Sequence, residues 1–138
     1  MARENDLKKV YLSKFRESKE AVKRIEDQIT ALELYEASPK TIDIEMHGSR
    51  ARKDMSDYAT KKDELISKMM QARYMRVSTY TDIFQAIENA PNERERQVLT
   101  YRYIKCLKWE EIAVEMHVEW AQVHRIHANA LKHFKIPT

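Results

Sequence analysis

The stretch from Trp109 to Leu131 reads WEEIAVEMHVEWAQVHRIHANAL, and its apolar spacing decides the fold of the C-terminal third. Ile112, Ala113 and Met116 share one face of a first helix, because residues three and four apart are neighbours on a helix. Val118 fills the turn that follows. The second helix turns four apolar residues inward: Val123, Ile126, Ala130 and Leu131. This pattern predicts a helix-turn-helix, a motif whose second helix enters the major groove of DNA.

The composition indicates long helices and limits the class of protein. The chain has 138 residues with one glycine and three prolines, and 34% of its residues are charged. These features predict an all-α fold with much solvent-facing helix surface. The single cysteine, Cys106, excludes an internal disulfide and a multi-cysteine zinc site, and we expect its thiol to be buried and inert. The sequence contains no apolar run of membrane-spanning length and no signal-peptide core, so we expect no membrane partner and a cytoplasmic location.

The N-terminal part carries a helical seam within residues 4–36. Its members alternate at three- and four-residue spacing, with one serine among them: Tyr11, Phe15, Ser18, Val22, Ile25, Ile29, Leu32 and Tyr35. This spacing is typical of a coiled coil. Ser38-Pro39-Lys40 should end the helix, because proline disfavours helix in the residue before it, and a connector should cover residues 38–49. We interpret residues 1–90 as a helical hairpin or coiled-coil segment that forms a homodimer or higher oligomer, or binds a partner.

A second long helix should run from about residue 49 to residue 89 and pack against the seam. Residues 76–79 are a candidate break in it, after which Thr79 or Thr81 would cap a new helix. Proline at position 91 should end the segment.

The C-terminal domain is expected to cover residues 91–138. Asn92 with Glu95 three residues later resembles an N-terminal capping signal for a helix over about 92–105. That helix presents four residues towards the motif: Val98, Leu99, Arg102 and Tyr103. We expect Trp109, at the start of the first motif helix, to pack inward against Leu99 or Tyr103.

The outer positions of the motif carry groups that reach bases and phosphates. We predict that the following residues contact DNA: Lys108, Trp120, Ala121, Gln122, His124, Arg125 and Asn129. Within residues 117–138 the one acidic residue is Glu119, against three basic residues and four histidines. A basic excess on the reading helix is what phosphate contact requires.

Five side chains in this set have an expected role. Arg125 is placed for a paired contact to guanine, and Gln122 for a pair with adenine. Trp120 would pack on a thymine methyl group or a sugar edge. Lys108 would contact phosphate at the start of its helix. His124 would also touch phosphate, so that binding tightens below about pH 6.5, where an unperturbed imidazole gains charge.

Other chemistries find no support in the sequence. The sequence has no glycine-rich phosphate loop, no His-Glu-x-x-His motif and no nucleophile-like turn, so we do not expect an enzyme or a cofactor. His124 and His127 are three residues apart, but no cysteine or carboxylate completes a compact ligand set, so we expect no metal site. The histidines of this region are interpreted as surface or phosphate-contacting residues.

The motif resembles region four of bacterial sigma factors over about residues 92–134. The residues that carry the resemblance are Leu99-x-x-Arg102-Tyr103, then Trp109-Glu110-Glu111-Ile112-Ala113, then Val118-x-x-x-x-Val123-x-x-Ile126-x-x-x-Ala130-Leu131-x-x-Phe134. The N-terminal half, with His47-Gly48-Ser49 in its connector, is similar to small phage and prophage proteins. These belong with the RinA- and ArpU-type late transcription regulators.

Two positions depart from the sigma pattern. Glu119 stands where a serine or threonine usually caps the recognition helix, and glutamate is the poorer cap although its charge suits a helix N-terminus. His117 stands where many relatives have glycine, so we expect it to adopt a positive φ at modest cost.

The resemblance implies a phage-type transcription regulator that binds double-stranded DNA inside a bacterial host cell. Three alternatives stay open. An RNA-polymerase-binding sigma-like protein would use the same domain on a protein surface. A small terminase subunit, which packages DNA, would combine the motif with ring formation. A structural helical adaptor would not bind DNA at all.

Overall fold

The computed structural model describes residues 2–37 and 48–138, and every regular element in these ranges is helical. The prediction of an all-α fold is therefore confirmed. The elements are α1 (Ala2–Leu12), α2 (Lys14–Ala37), α3 (Gly48–Glu88), α4 (Glu93–Leu99), a π-helical turn (Thr100–Ile104), α5 (Trp109–Met116) and α6 (Trp120–His133). None of the described helices is both long and apolar enough to cross a membrane.

The helices divide into two compact units. One contains α1, the start of α2 up to Lys19, and everything from Met75 to the C-terminus. The other contains the described residues between Glu20 and Tyr74. The functional division predicted from the sequence, into residues 1–90 and residues 91–138, stays a prediction.

The long helices differ from the sequence prediction in two places. The expected single helix over 4–36 is interrupted at Ser13. Helical backbone hydrogen bonds continue on both sides of Ser13. No proline or glycine stands there, so the sequence gives no signal for the irregularity. Helix α3 has no break at residues 76–79. The hydroxyls of Thr79 and Thr81 donate to carbonyls four residues earlier, an alternative to capping that lets the helix continue. The predicted break at Ser38-Pro39-Lys40 lies outside the described residues.

In the unit between Glu20 and Tyr74, α2 and α3 run antiparallel. Glu26 pairs with Arg73 at 3.4 Å, and Glu33, further along α2, pairs with Lys62, earlier on α3, at 3.6 Å. Val22 of the seam is buried, Ile25, Ile29 and Leu32 are half-buried, and Tyr35 at the end of the seam is exposed. The predicted helical hairpin is confirmed, whereas oligomerisation stays a prediction.

The core of the other unit joins distant parts of the sequence. Its buried members come from α1, α2, α3, α4, the π-helical turn, and α6 with the residue that follows it: Leu12, Phe15, Ile83, Ala86, Ile87, Leu99, Tyr103, Ala130, Leu131 and Phe134. The rings of Phe15 and Tyr80 meet edge-on at 5.3 Å between centroids. Five of the ten buried members of this core therefore come from residues before Glu93.

Lys8 ties α1 to the end of α6. Its side chain is 6% exposed, and its Nζ donates to the carbonyl oxygen of Leu131 at 2.7 Å and to that of Lys132 at 3.4 Å. Glu4, one turn earlier, lies 3.6 Å from the same ammonium. The last carbonyls of a helix have no partner within it and carry partial negative charge, so a lysine is well suited to cap them.

We expect Lys8→Met to lower the free energy of unfolding by about 1–3 kcal/mol, because it leaves the buried Leu131 carbonyl without this donor. Urea titration followed by circular dichroism measures the change. Lys9→Met is the matched control, since Lys9 is the exposed neighbour and the substitution removes the same charge. Equal stability of the two variants would contradict the capping role of Lys8.

Candidate nucleic-acid interface

Helix α4 is fixed at its start by a cap and by a contact to the end of α6. Asn92 Oδ1 accepts a hydrogen bond from the Glu95 backbone N–H at 3.1 Å, which confirms the predicted cap. The Glu95 carboxylate does not reach back to Asn92 as a full capping box would require. It is 4% exposed and lies 2.7 Å from Nδ1 of His133. The two ends of the region are thus joined by a short contact between a buried carboxylate and a half-exposed imidazole.

The turn between α5 and α6 has the geometry of a helix-turn-helix. Lys108 precedes α5, as predicted, and its backbone N–H donates to Glu111 Oε1 at 3.0 Å. His117 ends α5 in the left-handed conformation, with φ 56° and ψ 43°, which confirms the expected positive φ. Glu119 is extended and its side chain caps nothing, in agreement with its rating as a poor cap. The turn therefore depends on packing rather than on preferred turn residues.

A second left-handed residue, Cys106, was not anticipated. Its φ is 57°, and it lies between the π-helical turn and α5. The guanidinium of Arg102 donates to the carbonyl of Leu107 at 3.0 Å and so closes this corner. The thiol is only half-buried, which corrects the expectation of full burial.

The inner face of α6 differs from the prediction at one position. Val123, Ala130 and Leu131 are buried as expected, but Ile126 is half-buried and His127 is 7% exposed. The interpretation of His127 as a surface or phosphate-contacting residue is therefore wrong.

A hydrogen bond explains how a histidine enters this core. The Nε2 of His127 lies 2.8 Å from the hydroxyl of Tyr103. Burial lowers the pKa of His127 to about 4, with smaller contributions from the charges of Lys9, Arg102 and His124. Burial also raises the pKa of Tyr103 to about 12. Both groups are therefore neutral near pH 7, and the hydrogen bond satisfies them where water does not reach.

The outward face of α6 presents five exposed residues at three- and four-residue spacing: Ala121, Arg125, Ala128, Asn129 and Lys132. Three of them belong to the predicted DNA-contacting set, and Lys108 and Trp120 of that set are exposed as well. Ala128 and Lys132 were missed, although the spacing from Ala121 and Arg125 could have indicated them. Gln122 is half-buried and lines a shallow concavity beside the turn, together with Val114.

Helices α4, α5 and α6 with the π-helical turn thus form a helix-turn-helix in which α6 offers a polar face to solvent. Residues 92–135 match the family model of sigma-70, region 4. This family is a helix-turn-helix DNA-binding domain. The match covers the C-terminal third of the chain and agrees with the resemblance noted from the sequence. No curated protein and no solved structure matches the chain.

Within the region-4 domain, His124 does not point freely outward as predicted. Its ring lies between Trp109 and Trp120, with ring centroids 4.6 Å and 4.1 Å away. Its Nε2 is buried and has no hydrogen-bond partner among the described residues. The expectation that His124 contacts phosphate is therefore wrong for its Nε2 atom, because a buried atom cannot reach a phosphate oxygen.

Trp109 sits at the centre of the same group of rings in the region-4 domain. Its ring lies 4.7 Å from that of His127, and the guanidinium carbon of Arg102 lies 4.3 Å above it. The predicted packing against Leu99 or Tyr103 stays a prediction, and the defined ring contacts go to the two histidines of α6. In the described residues, no three metal-ligating side chains converge on one point.

Proposed function

We propose that this protein is a phage-type transcription regulator that reads double-stranded DNA with α6 of its region-4 domain. The observation that carries the proposal is the exposed face of α6, on which Arg125, Asn129 and Lys132 project from a helix-turn-helix. Arginine pairs with guanine and asparagine with adenine in the major groove, and lysine contacts phosphate. Lys108 at the start of α5 supplies a further phosphate contact.

The distribution of acidic residues supports α6, rather than α5, as the element that faces the duplex. Glu110 and Glu115 are exposed on α5, where they would repel phosphate. The outward face of α6 carries two cations and no carboxylate. A duplex that approaches α6 therefore meets attractive charge along the helix and leaves the carboxylates of α5 at the side.

The remaining assignments are part of the same proposal. The α2–α3 hairpin would dimerise the chain or hold a protein partner such as RNA polymerase, in the cytoplasm of a bacterial host. Light scattering separates this regulator from a packaging subunit, because a ring of many copies has several times the mass of a dimer.

Arg125→Ala should relax base preference at one position of the selected site by about 1–3 kcal/mol. The fold should be unchanged, since the side chain is exposed. Selection of bound duplexes from a random pool, followed by fluorescence anisotropy on the selected site and its single-base variants, measures the effect. The double variant Arg125→Ala, Gln122→Ala should lose most of the preference.

Two lysine variants act as controls for charge. Lys108→Ala should weaken all sequences alike and reduce the salt dependence by about one unit of slope. Lys68→Ala removes the same charge from an exposed position on α3, outside the region-4 domain, and should leave DNA binding unchanged. If the double variant Arg125→Ala, Gln122→Ala keeps the sequence preference of the wild type, the assignment of α6 as the reading helix is wrong.

A further inference from the structure

Four side chains contact one another in series across the region-4 domain, with the ring planes tilted by 42° and 59°, and the series ends at the start of α6. The guanidinium of Arg102 lies over Trp109, Trp109 contacts His124, and His124 contacts Trp120, with separations of 4.3, 4.6 and 4.1 Å. We call this group the aromatic stack. Its members come from the π-helical turn, α5 and α6, and His124 lies one helical turn after Trp120, where side chains on one face meet.

Exposure changes along the aromatic stack from its inner to its outer end. Arg102, Trp109 and His124 are half-buried, whereas Trp120 is 53% exposed. The ring of His124 lies against the Trp120 indole at an interplanar angle of 59°, and the exposed part of the indole is available to a ligand. A side chain that is already held in place loses little conformational freedom on binding, which favours affinity.

The first turn of α6 is apolar and is preceded by a carboxylate. Trp120 and Ala121 are both exposed there, no cation lies among residues 119–122, and Glu119, the residue before Trp120, is exposed. A phosphate is a poor neighbour for this group, because Glu119 repels it and the indole ring offers it no charge. The C5-methyl group of thymine is the apolar group that base edges present in the major groove.

We propose that Trp120 determines specificity by packing against a thymine methyl group, and that His124 is the positioning residue that holds the indole for this contact. This inference rests on the proposed function. The buried Nε2 of His124, without a partner, fits a ring held between two tryptophans better than a ring that bonds to DNA. Trp109 and Arg102 support His124 from the other side.

The test compares binding of the full chain to poly(dA-dT) and to poly(dA-dU), two duplexes that differ in the C5-methyl group. Wild type should bind the methylated duplex about fourfold more tightly, the amount expected for burial of one methyl group. Trp120→Ala should bring the ratio to one and leave the affinity for poly(dA-dU) within about twofold. Val114→Ala, at an exposed apolar position of α5 outside the aromatic stack, should keep the fourfold ratio.

His124 is tested by a pair of substitutions and a spectroscopic signal. His124→Ala should lower the methyl preference, and His124→Phe, which keeps a ring under the indole, should restore it. The chain has two tryptophans, so Trp109→Phe leaves Trp120 as the sole tryptophan, whose emission is excited selectively at the red edge of the absorption band. In that background, acrylamide quenching should rise with His124→Ala and fall when poly(dA-dT) is added, as long as circular dichroism shows an intact fold.

The outcomes separate the two proposals. Binding of wild type to both duplexes with a ratio of one overturns the thymine contact and leaves DNA binding in place. An unchanged fourfold ratio in Trp120→Ala also overturns it and assigns the exposed indole to a protein partner. Absence of binding to either duplex at low salt overturns the proposed function itself. Equal quenching of His124→Ala and its parent overturns the positioning role.

Discussion

A fragment that starts at residue 91 should fail to fold cooperatively, although it contains the whole region-4 match. The fragment lacks Leu12, Phe15, Ile83 and Ile87, which are buried against the ends of α4 and α6. Each such side chain contributes about 1.5–3 kcal/mol when it is fully buried, so their loss is comparable to the net stability of a small domain. Far-UV circular dichroism with urea titration of the 91–138 fragment and of the full chain measures the difference.

A permuted chain provides the control for this experiment. It joins the segment 75–138 through a flexible glycine–serine linker to the segment 2–19, which together form the first compact unit. This chain should regain a cooperative unfolding transition, because it restores both the missing core residues and Lys8. A cooperative transition in the 91–138 fragment alone would instead establish the division at residue 91 as a true structural boundary.

The second large effect is a loss of stability in mild acid through His127. Its pKa is about 4 in the folded protein and 6.5 as the ordinary value, so between these values the unfolded chain binds a proton that the folded chain does not. The free energy of unfolding must therefore rise with pH in this window and fall as pH drops from 6.5 to 4. At pH 4 this effect of His127 lowers the free energy of unfolding by about 3 kcal/mol, calculated from 1.36 kcal/mol for each pKa unit.

The substitution His127→Gln isolates this effect. Glutamine does not titrate and retains a group that can bond to the Tyr103 hydroxyl. Between pH 7 and pH 4, wild type should lose about 3 kcal/mol more than His127→Gln, as measured by urea titration at both values. Equal losses in the two proteins would contradict the prediction, because they would mean that folding does not lower the pKa of His127. Lys9, Arg102 and His124 also face the imidazole, and their charge opposes that protonation.

Local spacing was sufficient to predict the helix-turn-helix but not the exact rotation of α6. The inward positions of Val123, Ala130 and Leu131 follow from helical periodicity, whereas the left-handed His117 was expected from the glycine that many proteins with the sigma pattern have at this position. Ile126 and His127 both fit that periodicity, and the apolar residue was the natural choice. The partner that makes His127 acceptable is Tyr103, on another element, which no local pattern reveals.

Contacts between distant residues were equally hidden in the sequence. Lys8 lies in a charge-rich helix, where a lysine normally faces solvent, and nothing near it in sequence indicates the carbonyls of α6. The same holds for His124, whose position between two rings depends on where α5 begins relative to α6. The outward set on α6 was predicted in larger part, because exposure on an amphipathic helix follows from the residues on its inner side.

The bond from Lys8 to Leu131 spans 123 positions of the sequence, which has a consequence for the rate at which the DNA-binding helix forms. Closing a contact over so long a separation costs chain entropy before any packing energy is gained, and topologies with such contacts fold slowly. A module of three short helices that has a complete core of its own makes mostly local contacts and folds fast. Here α6 reaches its final state only after α1 has packed against it. Ribosomal synthesis makes α1 before α6, so α1 has no partner until translation reaches α6.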